Sequence, residues 1–538
     1  MSFTTHFRAM LGSTALVAAS ALPGFADTQL HILHFNDFHS RIEPINRFNS
    51  TCSSTDEAEG KCYGGAARLY TLITQMRDAI TAEGHPVLVL SAGDESQGSL
   101  YYTTYGGRAE AEMNLRIGLD AMAVGNHEFD SGPEGLAVFA DQAEYPVVSA
   151  NIDVSQNNLL AGHIVPWAIL ETGGLRVGIV GATTQDTPEI SSPGPTVTFS
   201  SAIDAVQRSV DELHERGVTT IIALTHVGYV GEQRIAAQVP GLTAVVGGHS
   251  HTYLSASDPR REGPYPTWVD NVDGSIVPVV QAGAYSRYLG HLILDLDDEG
   301  NLIYATGDTI EINAEVAQDP GVAEWVAGLA APLEETRNLL VSETTAPIDG
   351  DRTTCRQMEC TMGNLVTDAM LARVAGQGIT IAIQNGGGLR ASIDDGPITM
   401  GEVLSVLPFQ NTLATFELGG ADVVAALENG ASQLEEGAGR FAQVGGLQYT
   451  VDPAAPVGSR VSDVMVQREG AWVPIDPAAT YGVVSNDFMR KGGDGYSMFR
   501  DRATNVYDFG PDVADVLAEY LTEHNPYTPY TDGRITRR

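Results

Sequence analysis

Short stretches rich in metal-binding side chains recur along the first half of the chain: Asp37-Phe38-His39, Asp94 in SAGD, GNHEFD at 125–130, His226 in THV, and His249-Ser250-His251. Asp37 and His39 are alternate residues, so a strand-end loop can turn both to one side. A carboxylate beside an imidazole suits zinc, manganese or iron. Asp94 is the candidate bridge between two ions, because a central carboxylate can neutralise and join both. Asn126, His226 and His249 complete the second ion's shell, and His251 reaches the first by the same alternate spacing. Each stretch alone is common in proteins that bind no metal, where a strand-end histidine is simply hydrogen-bonded. In succession, they describe a site for two divalent ions, whose chemistry is hydrolysis by an activated water.

Apolar runs of strand length must place these residues. LHILHF precedes Asn36-Asp37, VLVLSAG precedes Asp94, AMAVG precedes Asn126-His127, TIIALT precedes His226 and TAVVGG precedes His249. With helical segments at 66–80 and 201–216, such runs read as buried strands of a layered α/β fold carrying ligands at their C-terminal ends. After Gly283 come a strand pair and a helical stretch, VAEWVAGLAAPLEETRNLL, in which Pro332 should cause a kink. The expected division is a metal-binding domain at 27–315, a linker helix at 316–340 and a second domain at 341–538. The last has a helix near 363–374, a strand ITIAIQN ending at Asn385, and glycine-rich turns.

Composition narrows the partners. With Lys plus Arg at 30 and Asp plus Glu at 68, the formal charge is −38, which repels nucleic acid and anionic membranes; polymeric nucleic acid is not expected. Residues 1–26 read as a secretory signal peptide: Arg8, an apolar segment from Met10 to Leu22, then Gly24-Phe25-Ala26. A periplasmic or secreted location follows, and the terminal GRITRR offers no apolar tail for a membrane anchor. Export favours local disulfides, Cys52–Cys62 and Cys355–Cys360, over free or metal-binding thiols.

The sequence resembles the calcineurin-like metallophosphoesterases and, among them, the secreted 5′-nucleotidases, in particular the ecto-5′-nucleotidases. The resemblance is carried by GGAARL at 64–69, AGD at 92–94, GNHEFD, CRQMEC at 355–360, MGNLVTDAM at 362–370, QNGGGLR at 384–390 and GGDGY at 492–496. It implies a four-layer αββα domain joined by a helix to a smaller α+β nucleotide-specificity domain. Two divalent ions, zinc or manganese, are implied as cofactors and a small nucleotide as substrate. Asn126 is then a ligand and His127 is not: His127 meets the phosphoryl group, with Asp130 orienting it. Glu128 is read as structural. Phe409 and Phe488 are implied to stack a nucleobase, Asn385 to contact it, Arg356 and Arg390 to bind the anionic part, and Asp494 to accept from the ribose hydroxyls.

The expected reaction is hydrolysis of nucleoside 5′-monophosphates to nucleoside and phosphate. A broader nucleotide or UDP-sugar hydrolase, or a 2′,3′-cyclic phosphodiesterase with 3′-nucleotidase activity, uses similar motifs. His251 departs from the pattern, since relatives carry an amide there.

Overall fold

The computed structural model describes residues 28–468 and 470–538; the expected signal peptide lies outside them. Strand β1, Thr28–Phe35, shows why the first half is layered. Side chains alternate between the faces of a strand. Leu30 and Ile32 enter one apolar cluster, while Leu33 and Phe35 enter another, all essentially without exposure. Covered on both faces, β1 sits inside a seven-stranded mixed sheet, parallel to β2 (Val87–Ser91) and antiparallel to Tyr288–Leu296. Strand β3, Ala121–Ala123, runs parallel on the other side of β2. A second, six-stranded sheet contains β4 (Thr220–His226) and, parallel to it, β5 (Ala244–Val246).

Between the sheets, Leu30, Ile32 and Leu90 meet Ile179, Ile222 and Val246. Helices α1 (Ala66–Ala82) and α2 (Arg108–Ile117) cover the outer face of the first sheet, and α3 (Ala202–Glu215) and α4 (Tyr229–Gln238) that of the second. This is the four-layer αββα arrangement. Strands β1 to β5 are parallel where they pair with one another, so their C-terminal ends gather the candidate ligands along one rim.

The expected linker helix is interrupted as Pro332 predicts. Helix α5, Pro320–Ala330, ends in a 3-10 turn at Ala331–Leu333, followed by a short helix at Glu334–Arg337. Val322, Val326, Ala330 and Leu333 join the cluster formed by α1 and α2, so the segment packs with the first half.

In the second half, a five-stranded sheet includes β6 (Ile379–Asn385), β7 (Leu413–Gly419) and β8 (Thr480–Asn486). Ile381 and Ile383 of β6 point into one core and Ala382 into the other, where helix α6 (Thr361–Arg373) packs. Both expected disulfides are present, Cys52–Cys62 and Cys355–Cys360; Cys360 is also the N-cap of α6. Among the described residues, no helix is long and apolar enough to cross a membrane.

Candidate active site

The turns that follow β1, β2 and β5 are held in a conformation that ordinary residues avoid. Asp37, His39, Asp94, His249 and His251 all have positive φ, between 50° and 77°. Such backbone costs about 1–3 kcal/mol per residue and persists where surrounding contacts fix it, typically at functional sites. Close approach helps to fix it here: a side chain on Gly125 would place its Cβ 2.2 Å from Asp94 Oδ1. Glu128 of GNHEFD, fully buried, accepts from the backbone N–H groups of Gly125 (2.8 Å), Asp94 (3.1 Å) and Ser96 (3.1 Å). Its expected structural role is therefore a tie between two ligand loops.

The candidate ligands converge. His39 Nε2 lies 3.1 Å from His251 Nε2 and 3.8 Å from Asp37 Oδ1, and His251 Nε2 lies 3.2 Å from Asp37 Oδ1. His226 Nε2 is 2.9 Å from Asp94 Oδ2, and His249 Nδ1 is 2.8 Å from Asn126 Oδ1. Asp94 Oδ2 also stands 3.9 Å from His39 Nε2, between the two groups, where a bridging carboxylate belongs. Donor atoms sharing one ion at bonds of about 2.0–2.2 Å sit at comparable mutual spacings.

Hydrogen bonding outside the cluster fits the same reading. His226 Nδ1 donates to Ala92 O at 2.7 Å, and His39 Nδ1 faces the carbonyls of Ser96 and Gln97 at 3.2 Å. Each bond fixes the ring so that Nε2 is the nitrogen facing the cluster. Asp37 Oδ1 and His226 Nε2 are buried without a hydrogen-bond partner. Burial pushes His39, His249 and His251 well below the usual imidazole range, which keeps them neutral. Burial opposes ionisation of Asp94 too, but His226 and His127 outweigh it and hold its carboxyl well below the usual range. Burial lowers His226, but Asp94 and Asp37 outweigh it and raise it to about 10, while burial lifts Asp37 to about 6; a cation taken up among these groups would therefore displace protons from them.

His127 stands at the edge of this cluster. Its Nδ1 is 2.6 Å from Asp130 Oδ2, and Asp130 Oδ1 accepts from Ser191 Oγ at 2.7 Å. Burial lowers the His127 pKa, but Asp130 and Asp94 together raise it above the ordinary value. His39, Asp94 and His127 also lie close enough to share an ion, so geometry alone leaves two roles open to His127.

The second half supplies the facing wall of a cleft of about 1010 Å³. Asn385, at the end of β6, donates to Asp494 Oδ2 at 2.6 Å, and Asn429 holds the Asp494 carbonyl at 2.9 Å. Phe409 and Phe488 both line the cleft; Phe409 stacks on His127 with ring centroids 5.7 Å apart, and the Arg390 guanidinium carbon is 5.6 Å from the same ring. Arg356 bonds Gly437 O at 3.3 Å, while its Nε has no partner. Gly387 lets this wall close up, since a Cβ there would meet Gly439 Cα at 2.8 Å. All the candidate residues of both halves therefore lie in or directly behind one cleft.

Arg352 is an addition that sequence reasoning missed. It lines the same cleft, is half-buried, and its Nη1 has no partner. The signal was available: Arg352–Cys355 is helical, which puts Arg352 on the same face as Arg356 four residues later.

Comparison with known proteins agrees with both halves. The calcineurin-like phosphoesterase family model matches residues 30–253, and the 5′-nucleotidase, C-terminal domain model matches residues 339–501. The human 5′-nucleotidase is 36% identical over 546 residues, covering 97% of this chain and 94% of that protein. A snake venom 5′-nucleotidase from Gloydius brevicauda is 35% identical over 531 residues, covering 94% of this chain and 88% of that one. The crystal structure of a 5′-nucleotidase precursor from Thermus thermophilus superposes with a TM-score of 0.89 at 41% identity, over 95% of this chain and 99% of that chain. With both domains matched in order, and kinship extending over nearly its whole length, the chain belongs to the 5′-nucleotidase family.

Proposed function

We propose that this protein is a metal-dependent phosphomonoesterase that hydrolyses nucleoside 5′-monophosphates to nucleoside and phosphate. One observation carries the reading: a donor set for two cations and a wall of aromatic, amide and guanidinium groups face each other across a single cleft. Asp37, His39, Asp94 and His251 would hold one ion, and Asp94, Asn126, His226 and His249 the other, zinc or manganese by donor type. Bound there, the ions supply Lewis acidity and an activated water at neutral pH.

The chain's own residues do the rest. Arg390 and Arg356 orient the phosphate with paired donors, and Phe409 and Phe488 grip the base. Asn385 contacts the base edge, and Asp494 accepts from the ribose. His127, its Nδ1 tied to Asp130, turns Nε2 toward the phosphoryl group and donates a proton as the ester oxygen departs. The two disulfides and the leader-like sequence of residues 1–26 support a location outside the cytoplasm.

A second reading, hydrolysis of nucleoside di- and triphosphates or UDP-sugars, draws support from Arg352. Burial and the mutual repulsion of Arg352, Arg356 and Arg390 pull the Arg356 pKa well below its ordinary value, a crowding of cations that a second phosphate relieves. A phosphate-release panel over nucleoside mono-, di- and triphosphates, cyclic nucleotides and UDP-sugars, with metal content measured on the same sample, tests both. Release from monophosphates alone supports the first; no release from any nucleotide by the two-metal protein rejects both.

A further inference from the structure

Glu110 lies in α2, a helix that contributes no candidate ligand, and its side chain is fully buried. It accepts a hydrogen bond from Ser40 Oγ. Ser40 directly follows His39 and, like Asp37 and His39, has a positive φ, 57° against 50° and 50°. Three non-glycine residues among four consecutive positions thus hold a conformation that the surroundings must impose. Ser99 completes the grip, its Oγ lying 2.9 Å from Ser40 Oγ and 2.7 Å from Ser40 O, while Arg41 donates to Gly98 O.

The two sides of the candidate centre are therefore tied by different carboxyl groups. Glu128 ties the Asp94 loop to Gly125 through backbone N–H groups, and it stands within GNHEFD. Glu110 ties the turn after β1, from a position 70 residues beyond Ser40, and its hydrogen bond is to Ser40 rather than to a candidate ligand. We propose that Glu110 is a positioning residue: acting through Ser40, it holds the Asp37–His39 turn in its metal-binding conformation and so sets the affinity of the ion held by Asp37, His39 and His251. This rests on the two-metal reading above.

The test is equilibrium titration of the metal-stripped full chain with Mn²⁺, with bound metal counted by mass spectrometry. The unsubstituted protein, Glu110→Ala, Glu110→Gln, Ser40→Ala and the double alanine variant are compared, and the melting temperature of each metal-free protein serves as the control for fold. The expected result is a loss of about 10–100-fold at one site in Glu110→Ala and in Ser40→Ala, with the other site within about twofold. The double variant should be no worse than Ser40→Ala alone, because removing the Ser40 hydroxyl already breaks the Glu110 linkage together with the contact from Ser99 Oγ. Glu110→Gln should recover most of the affinity, since its amide oxygen still accepts from Ser40. Should Glu110→Ala not fold, Ser40→Ala, which removes one hydroxyl, carries the same comparison. Unchanged affinities, or equal losses at both sites with a lowered metal-free melting temperature, overturn the proposal. An unsubstituted chain that binds fewer than two ions overturns the two-metal reading itself, and this inference with it.

Discussion

Arg390 Nη2 stands 3.0 Å from His39 Nε2, a contact across 351 positions that joins the second half of the chain to the metal-ligand cluster of the first. The guanidinium takes up the lone pair that His39 would offer an ion, so a cation held there would release Arg390 toward a phosphate. The wall contributed by the second half thereby meets the candidate metal centre directly. Ion pairs at the rim, Arg440 with Glu189 at 3.6 Å and Arg234 with Glu436 at 3.9 Å, also cross between the halves.

Arg390→Ala should lower kcat/KM for AMP by about 10–100-fold, the equivalent of about 1.5–3 kcal/mol for a hydrogen bond to a charged group. Arg390→Lys should recover only part of this, because a point charge cannot reproduce the paired donors. Steady-state kinetics on the three proteins decides it, and an alanine variant with the parental value would remove Arg390 from phosphate binding.

Metal removal should abolish phosphate release, and added Mn²⁺ or Zn²⁺ should restore it. Asp94→Asn should behave like the stripped enzyme even with metal added, since the shared carboxylate stands between both ligand groups. Residual turnover in a sample verified as metal-free would contradict the proposed chemistry.

His127→Ala should cut kcat by about 10²–10⁴-fold, the usual scale for a lost acid catalyst, while bound metal stays at two ions per chain. Asp130→Asn should have a smaller effect in the same direction, as it disturbs only the partner of Nδ1. Metal analysis separates the two roles that geometry leaves open: a drop to one ion in His127→Ala would make His127 a ligand.

Phe409→Ala and Phe488→Ala should each weaken nucleotide binding by about 1–3 kcal/mol, the range for a stacked base. A small aryl phosphate, which has no base to stack, should be hydrolysed by both variants at close to the original rate. Equal losses on the two substrates would show that the rings support the cleft rather than the base.

Much of the centre is legible in the sequence because each candidate ligand follows a buried strand, and the end of a parallel strand leaves little freedom in where the next residues go. The order Asp37-x-His39, Asp94, Asn126, His226, His249-x-His251 maps directly onto the rim. The αββα layering follows from the same apolar runs, and the interruption at Pro332 from its missing N–H. Other features depend on distant contacts. Glu110 reads as one more polar residue on an amphipathic helix until Ser40 is seen against it. Arg352 is hidden by the need to recognise one helical turn before Cys355. The left-handed backbone at five candidate ligands has no sequence marker, since aspartate and histidine rather than glycine occupy those positions.

Helix α5 gives the molecule an asymmetric construction. Its apolar side is buried against α1 and α2, and Tyr105 OH anchors it through Leu329 O at 2.7 Å, so the tether is part of the metallophosphoesterase half's own interior. The chain leaves that body only after Arg337, where Leu339 and Leu340 are 60% and 62% exposed. A metal-binding half prepared alone is therefore better cut near residue 338: ended at 315, it would bare the oily flank of α1, whereas ended at 338 it keeps that flank covered.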